Sequence, residues 1–385
     1  MSQTFSATHP AAPPALVALH ACPDYDPARV RSAVTSALAA LPAWGEVARD
    51  GRRVMLKPNL VNPRGPEFAI CTHPQVLRVV AEILHEAGCS LLVCDQPAYV
   101  HKEQADEVFT SSGYREALAH LPVEWALAAS RGYAAYPVPH PYQIREAQLS
   151  AWLAEVDAVV NLAKLKTHTQ TVLTGAVKNM FGLVAPRQRI DLHALVAGRE
   201  LSEGIVDTFA ARPPEVSLVD AVVAMEGSGP THGAAKPLGW LAAGADAVAV
   251  DAVAASLAGF APGSIATTVA AATAGYGCGD LERIEIVGAD PASLRGHLRP
   301  APRPPEHFPR WLGQAAGKLI YVRPRVAGKL CTRCGRCAAI CPAHCISLRA
   351  QAVIDRARCL ECFCCMEACP QDAIGVQRSL LSRLV

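Results

Sequence analysis

This sequence has few charged and few aromatic residues, and it lacks segments that target a membrane. Asp, Glu, Lys and Arg make up 18% of its 385 residues and aromatic residues 5%, whereas hydrophobic residues reach 51%. The net charge of +2, without a basic and aromatic stripe, predicts no nucleic-acid partner. The apolar stretch 247–258 is too short to span a bilayer, and residues 1–10 do not resemble a secretory signal. We therefore expect a globular cytoplasmic protein with no membrane partner.

Loops that bind nucleotides are also missing. The glycine cluster 227–233 has the wrong spacing for a dinucleotide loop and contains a proline where a helix should begin. The segment 313–319 lacks one residue of spacing and the hydroxyl group of a P-loop. We expect neither a nucleotide-driven step nor a flavin or nicotinamide cofactor.

Cysteine, in contrast, is abundant and clustered. Ten of the 15 cysteines lie between residues 331 and 369. Two runs of the form C-x-x-C-x-x-C-x-x-x-C-P begin 28 residues apart, at Cys331 and at Cys359. In this spacing three thiolates of one run and the last cysteine of the other hold one cluster, which predicts two [4Fe–4S] clusters. The predicted first set is Cys331, Cys334, Cys337 and Cys369, and the second is Cys359, Cys362, Cys365 and Cys341.

Zinc and disulfides are the alternative interpretations of these cysteines. Zinc sites use paired C-x-x-C arms and need neither a third cysteine nor a fourth before proline. Disulfides require an oxidising compartment, which nothing in the sequence indicates. Two further cysteines fall outside the repeated positions. Cys345 aligns with Ala373 of the other half and is interpreted as a small packed residue. Cys364 aligns with Arg336, which predicts an outward-pointing side chain that is not a ligand.

The segment 329–376 closely resembles the bacterial two-cluster ferredoxin domain, a small α+β fold. From Lys329 to the C-terminus the polypeptide has eight basic and four acidic residues, and each oxidised cluster with its thiolates adds about two negative charges. A nearly neutral domain is suited to docking an acidic electron donor or to packing against the neighbouring domain of the same chain. We expect a ferredoxin- or flavodoxin-type protein as electron donor or acceptor.

The pattern before this segment favours a mostly parallel α/β sheet covered by helices, because short apolar runs alternate with helical periodicity. Predicted strands are 16–21, 53–57, 90–94, 158–162, 216–219, 240–243 and 283–287, and predicted helices are 27–41, 74–87, 192–210 and 245–257. The predicted organisation is a disordered tail over 1–14, an α/β domain over 15–298, a proline-rich basic linker over 299–328, the ferredoxin domain over 329–376 and a C-terminal tail over 377–385.

Five separated motifs in the α/β domain carry a second resemblance. They are residues 57–61, 72–74, 161–168, 174–183 and 225–231. Together they resemble the domain-of-unknown-function 362 family over about residues 14–290, and Asp246 and Asp251 match its last motif. The resemblance implies this architecture, often with a two-cluster ferredoxin domain at the C-terminus, and leaves the reaction open.

The motifs place several polar residues at predicted strand ends, where open parallel sheets bind ligands. Three lysines in a charge-poor domain, together with helix starts, favour an anionic or carbonyl-bearing small substrate. The predicted substrate-binding residues are Lys57, Asn59, Lys166, Thr167 and Asn179, and the predicted catalytic residues are His168, Glu226 and Lys178. Alternatively, the lysines are surface charges, His168 is a buried structural histidine and Glu226 ends a turn. Asp246 and Asp251 are interpreted as helix caps more readily than as metal ligands.

The leading functional hypothesis is an iron–sulfur oxidoreductase that relays single electrons to a small anionic or unsaturated substrate. The alternative is a non-catalytic ferredoxin-type electron carrier whose large domain is a docking or regulatory module. A third interpretation, a cluster-bearing sensor or maturation factor, would give Cys364 a functional role.

Overall fold

The computed structural model describes residues 14–61, 64–97, 105–195, 198–302 and 321–379. The predicted N-terminal tail, except for Pro14, and residues 303–320 of the predicted linker lie outside the described residues. Among the described residues, no helix combines the length and the apolar character needed to cross a bilayer.

Fifteen strands occur in the described part of the chain. They are β1 (Ala15–Ala21), β2 (Arg53–Pro58), β3 (Ser90–Asp95), β4 (Val123–Leu127), β5 (Tyr133–Pro137), β6 (Glu146–Ser150), β7 (Ala158–His168), β8 (Val172–Thr174), β9 (Val216–Glu226), β10 (Ala234–Gly244), β11 (Ile284–Gly288), β12 (Val322–Val326), β13 (Ile346–Leu348), β14 (Ala352–Ile354) and β15 (Ile374–Arg378).

The α-helices of the same residues are short to medium in length. They are α1 (Pro27–Ala39), α2 (Trp44–Val47), α3 (Pro74–Glu86), α4 (Ala105–Ser111), α5 (Tyr114–Ala117), α6 (Ala176–Asn179), α7 (Pro186–His193), α8 (Gly198–Ala211), α9 (Ala247–Leu257), α10 (Ala266–Thr273), α11 (Arg336–Ile340) and α12 (Cys364–Glu367). The single helix predicted over 192–210 is two helices, α7 and α8.

A mixed, mostly parallel sheet forms the centre of the α/β domain and confirms the fold class predicted for that domain. Its strand order is β11-β1-β10-β9-β7-β2-β3-β4, and β8 pairs with β7. Strand β10 is antiparallel to both β1 and β9, whereas β2, β3, β4, β7 and β9 form parallel pairs. The carboxyl ends of β2, β3 and β7 therefore meet at one edge of the sheet.

The sheet has an apolar core on each face, as a parallel sheet requires. All eleven residues of β7 are buried, and Val159 belongs to one core cluster while its neighbour Val160 belongs to the other. This alternation explains why the sequence of β7 begins as a nearly continuous apolar run.

The C-terminal segment 321–379 is an internal repeat in its backbone as well as in its sequence. Helices α11 and α12 begin 28 residues apart, as do β13 and β15. Left-handed backbone conformations repeat at the same offset, in the pairs 333/361, 335/363 and 344/372. Strand β12 pairs with β15, so the end of the predicted linker is ordered and β15 extends into the predicted C-terminal tail.

Candidate functional site between the sheet and the C-terminal segment

A cavity of about 490 Å³ lies where the sheet edge faces the C-terminal segment. Its walls come from the ends of β2, β3 and β7, from the region of α6 and α7, and from α11 and α12. Among the lining residues are Asn59, Asp95, Gln96, Lys166, Thr174, Lys178, Asn179, Phe181, Arg189, Ile190, His193, Pro230, Ile340, Cys364 and Glu367. The motifs therefore meet at a site to which both parts of the chain contribute.

Lys57 forms a buried ion pair at the base of this cavity. Its Nζ lies 2.8 Å from Asp95 Oδ1, and both side chains are almost completely buried. Burial lowers the pKa of Lys57, and the charge of Asp95 partly counteracts that effect. Asp95 Oδ2 also accepts a hydrogen bond from the amide of Leu60 at 2.8 Å. Because the ammonium charge is already neutralised, Lys57 holds the two strand ends together.

Two asparagines extend this network across the cavity floor. Asn59 Nδ2 donates to Asn179 Oδ1 at 2.8 Å, and Asn179 Nδ2 donates to Asn161 Oδ1 at 2.7 Å. Lys166 Nζ donates to Asn59 Oδ1 at 2.5 Å and to the carbonyl of Ile70 at 2.7 Å. Burial lowers the pKa of Lys166 to about 7. The structure thus brings the predicted residues Lys57, Asn59, Lys166 and Asn179 into one hydrogen-bonded group.

Lys178 is the cavity lysine that this network leaves free. It lines the cavity, and its ammonium group has no hydrogen-bond partner among the residues that the structure describes. Burial lowers its pKa, while the nearby carboxylate of Glu367 acts in the opposite direction. An amine of this kind is available to a ligand.

Asp251 fixes the helix that carries Lys178. Its carboxylate accepts hydrogen bonds from the amides of Ala176 and Val177, at 2.5 and 3.0 Å, and so caps the start of α6. Asp246 caps α9 in the same way, through the amides of Val248 and Ala249. Both aspartates of the last motif are therefore helix caps, and burial raises the pKa of Asp251 to about 7.

His168 lies behind the cavity wall and contacts the C-terminal segment. Its Nδ1 accepts hydrogen bonds from the amides of Gln170 and Thr171, so the proton of the neutral ring is on Nε2. That nitrogen lies 3.4 Å from Glu367 Oε1. Burial lowers the pKa of His168 to about 4. Burial acts to raise the pKa of Glu367, but His168 and Lys178 outweigh it and lower that pKa to about 2.

Helix α7 contributes two ionisable cavity residues that the sequence analysis did not identify, Arg189 and His193. His193 Nδ1 lies 2.7 Å from the carbonyl oxygen of Arg189. A carbonyl oxygen only accepts, so Nδ1 carries a proton and Nε2 of the neutral ring is an acceptor. Burial lowers the pKa of His193, which favours this neutral form. The available sequence signal was the four-residue spacing of Arg189 and His193 on a helix that begins at Pro186.

Two predicted site residues lie elsewhere. Glu226 accepts hydrogen bonds from the amide and Nε of Arg299, at 3.0 and 2.8 Å, and is not among the cavity residues. The hydroxyl of Thr167 donates to the carbonyl of Gly227 at 2.9 Å and likewise does not line the cavity. Since Thr167 directly follows the cavity residue Lys166 on β7, strand alternation places its side chain on the opposite face.

The eight repeated cysteines line two smaller cavities, four around each. One is lined by Cys331, Cys334, Cys337 and Cys369, and the other by Cys341, Cys359, Cys362 and Cys365, with Cys345 as a fifth cysteine in its wall. Backbone amides point at the sulfurs: the amides of Ala352 and Ala373 donate to Cys331 Sγ and Cys369 Sγ at 3.4 and 3.2 Å. Within the described ranges, no three His, Cys, Asp or Glu side chains are arranged to hold a single metal ion.

The two extra cysteines differ in their positions. Cys345 is buried, and its Sγ lies 3.4 Å from Cys341 Sγ, which agrees with its interpretation as a packed residue. Cys364 does not point outward, as predicted, but is 2% exposed and lines the large cavity. The prediction is wrong because the two halves of the repeat do not pack equivalently against the α/β domain, so Cys364 is covered while its counterpart Arg336 stays partly exposed.

Comparison with known proteins supports the family resemblance of the α/β domain. The family model described as "domain of unknown function (DUF362)" matches residues 54–256. A thylakoid-associated protein of Synechocystis is 32% identical, over 64% of this chain and 75% of its own length. NADH-quinone oxidoreductase subunit I of Pelobacter propionicus is 38% identical, over 14% of this chain and 37% of its own length. The solved lactate racemase apoprotein of Thermoanaerobacterium thermosaccharolyticum is 13% identical, with a TM-score of 0.38, over 59% of this chain and 53% of that one, which is too weak to bear on function. On the family match and the Synechocystis relative, the chain belongs to the DUF362 family.

Proposed function

We propose that this protein is an iron–sulfur oxidoreductase that exchanges single electrons with a small anionic substrate in the 490 Å³ cavity. One observation carries the proposal. Ile340 and Cys364 line that cavity, and each immediately precedes a cysteine of the second set, Cys341 and Cys365. The cysteines and the candidate substrate site are thus neighbours along the chain.

The cysteine cavities fit [4Fe–4S] clusters in ligand number and type. Each has four cysteines of the repeated positions, three from one run and one from the other, as two-cluster ferredoxins do, and Cys345 is a fifth cysteine at the second cavity. Amides that point at the sulfurs are the groups that stabilise thiolate-bound clusters and adjust their potentials. The match to an NADH-quinone oxidoreductase subunit gives further support. When bound, the clusters would supply one-electron transfer.

The cavity has an excess of positive charge, which favours an anion. Lys166, Lys178 and Arg189 line it, against the carboxylates of Asp95 and Glu367, and the charge of Asp95 is already neutralised by a buried lysine. Lys178 and Arg189 line the cavity from α6 and α7, and we propose that a carboxylate or phosphate of the substrate binds between them. In a site of low dielectric constant, they would also stabilise negative charge that develops on the substrate.

His193 is the residue best placed to move a proton in this cavity. Its Nδ1 proton is committed to the carbonyl of Arg189, which leaves Nε2 to accept a proton from the substrate or return it. The Nε2 proton of His168 is directed at Glu367 instead. We therefore assign proton transfer to His193, and we assign to His168 the positioning of Glu367.

The C-terminal segment would act as a ferredoxin-like domain within the same chain, with its partner an electron-carrying protein. We retain 329–376 as the proposed cluster-binding domain. Residues 299–302, at the start of the predicted linker, are attached to the α/β domain. The side chain of Arg299 binds Glu226, and the carbonyl of Arg299 accepts a hydrogen bond from the amide of Gly227.

The proposal is tested with anaerobically purified protein. Iron and acid-labile sulfide should each approach about eight atoms per chain. Reduced protein is then mixed with small carboxylates, unsaturated carboxylates and phosphate esters, and cluster oxidation is followed by visible absorption. At least one compound should accelerate oxidation, and Lys178→Gln should remove the effect, whereas Lys236→Gln on the surface should retain it. Full cluster content with no accelerating compound would contradict the enzymatic proposal and favour a non-catalytic electron carrier.

A further inference from the structure

The two cysteine sets differ in their access to solvent. Cys334 of the first set is exposed, whereas all four cysteines of the second set are buried or partly buried. The second set adjoins the large cavity through Ile340 and Cys364. Of the eight repeated cysteines, Cys334 is therefore the one that an external electron donor can approach most closely.

The chain segments that border the first cysteine cavity carry basic side chains without ion-pair partners. Residues 327–336 and 347–351 contain four basic residues, Lys329, Arg333, Arg336 and Arg349, and no acidic one. Three of them, Lys329, Arg333 and Arg349, are exposed. In the described structure none of the four forms an ion pair. By comparison, the nearby guanidinium groups of Arg356 and Arg358 are held by backbone carbonyls.

Two large apolar side chains lie beside these charges. Leu330, which directly precedes Cys331, is 54% exposed, and Leu348, which lines the first cysteine cavity, is 44% exposed. Leu348 lines that cavity together with Arg333 and Cys334, so charge, apolar surface and the exposed thiolate belong to one region. An apolar centre with a charged rim is the usual composition of a protein interface.

We propose that this region, the Cys334 face (Lys329, Leu330, Arg333, Cys334, Leu348 and Arg349), docks an acidic protein that carries one electron. The inference rests on the proposed function, because it assumes a cluster held in part by Cys334. The positive rim would steer an acidic carrier, and the two leucines would make the close contact that short electron-transfer distances need. An anionic small molecule would gain little from the exposed leucines, so a protein partner fits better.

The test compares two variants with the same change in net charge. Lys329→Glu/Arg333→Glu alters the Cys334 face, and Arg283→Glu/Arg295→Glu alters exposed basic residues of the α/β domain. Cluster reduction by a reduced acidic plant-type ferredoxin is followed by stopped-flow absorption, with dithionite as the small-molecule reductant. At low salt, the first variant should be reduced at least about 10-fold more slowly than wild type by the ferredoxin, and the control should change by less than about threefold. The difference should shrink as salt increases.

Several outcomes would overturn the proposal. Equal slowing of both variants would mean that only net charge matters, and no slowing in either would place docking elsewhere. If dithionite bleaches the clusters normally while ferredoxin reduction is insensitive to both changes, the docking face fails and the proposed function stands. If wild-type protein has no chromophore that dithionite bleaches, the proposed function itself fails. Should Lys329→Glu/Arg333→Glu lose iron, Arg349→Glu, outside both cysteine runs, is compared with the single control Arg283→Glu, so that the change in net charge is again equal.

Discussion

His168 Nε2 lies 3.4 Å from Glu367 Oε1, and this contact joins the end of β7 to the helix of the C-terminal segment. Both atoms are buried and neither has a hydrogen-bond partner in the described residues, so the contact is electrostatic. Separating the two groups would leave each without this compensation for burial, and an unsatisfied buried polar atom costs about 1–3 kcal/mol. A second contact across the same boundary joins Asp372 to Arg64 and His232. The C-terminal segment is thus attached to the α/β domain at two polar points beside the cavity.

His168 should make the stability of the protein depend on pH. Burial lowers its pKa from 6.5 to about 4, so between these values the unfolded chain binds a proton that the folded chain does not. The contribution of His168 to the free energy of unfolding is therefore fully present above pH 6.5 and is lost as the pH falls toward 4. Between pH 7.5 and 5.5 the expected loss from this residue is about 1 kcal/mol. His168→Gln should reduce that slope in denaturant unfolding, monitored by circular dichroism.

The control for this prediction is His85→Gln, which changes an exposed histidine. It should retain the wild-type slope. A slope in His168→Gln equal to that of wild type would show that other buried histidines, such as His73 and His193, account for the dependence.

Gly182 should not tolerate a side chain. A Cβ atom added there would overlap Asp95 Oδ1 and approach Lys57 Nζ, so the buried ion pair would have to move. Gly182→Ala should destabilise the protein by about 1–3 kcal/mol. At Gly263 an added Cβ meets nothing within 4 Å, so Gly263→Ala should change stability by less than about 0.5 kcal/mol. Thermal melts of the two variants would test this difference, and equal melting temperatures would contradict it.

The convergence of Lys57, Asn59 and Lys166 was predictable from sequence because each lies at or near the end of a parallel strand, and such ends share one edge of a sheet. The same reasoning misplaced Thr167, since neighbouring residues on a strand point to opposite faces. Glu226 also follows a strand, but Arg299, more than 70 residues further along, binds it. The sequence predicts where strands end, whereas an ion pair between residues so far apart in the chain depends on the fold.

Cys364 shows a second limit of sequence reasoning. Aligning the two halves of the repeat correctly predicts the local backbone, including the left-handed residues at 335 and 363. It cannot predict which positions of each half pack against the α/β domain. Docking breaks the symmetry, and so Cys364 is buried beside Glu367 while Arg336 keeps contact with solvent. His193 and Arg189 were not predicted for a related reason, because they line the cavity from a helix and do not follow a strand end.

Iron content should distinguish two adjacent cysteines, Cys364 and Cys365. Both are buried, but only Cys365 lines a cavity with three other cysteines of the repeated positions. Cys365→Ala should lose about four of eight iron atoms, whereas Cys364→Ala should retain all of them. Cys345→Ala should also retain them. Loss of iron from Cys364→Ala, measured after anaerobic purification, would show that the ligand assignment is wrong.

His193→Asn should separate proton transfer from binding. The amide nitrogen of asparagine can replace Nδ1 as a donor to the carbonyl of Arg189, but the variant lacks the Nε2 base. With a substrate from the oxidation screen, kcat should fall by about 10²–10⁴-fold while KM and iron content change little. Lys178→Gln should instead raise KM, because it removes a binding charge. The pH profile of kcat gives an independent measurement, since the limb due to the histidine should disappear in His193→Asn. A variant with an unchanged profile would exclude His193 as the proton-transfer group.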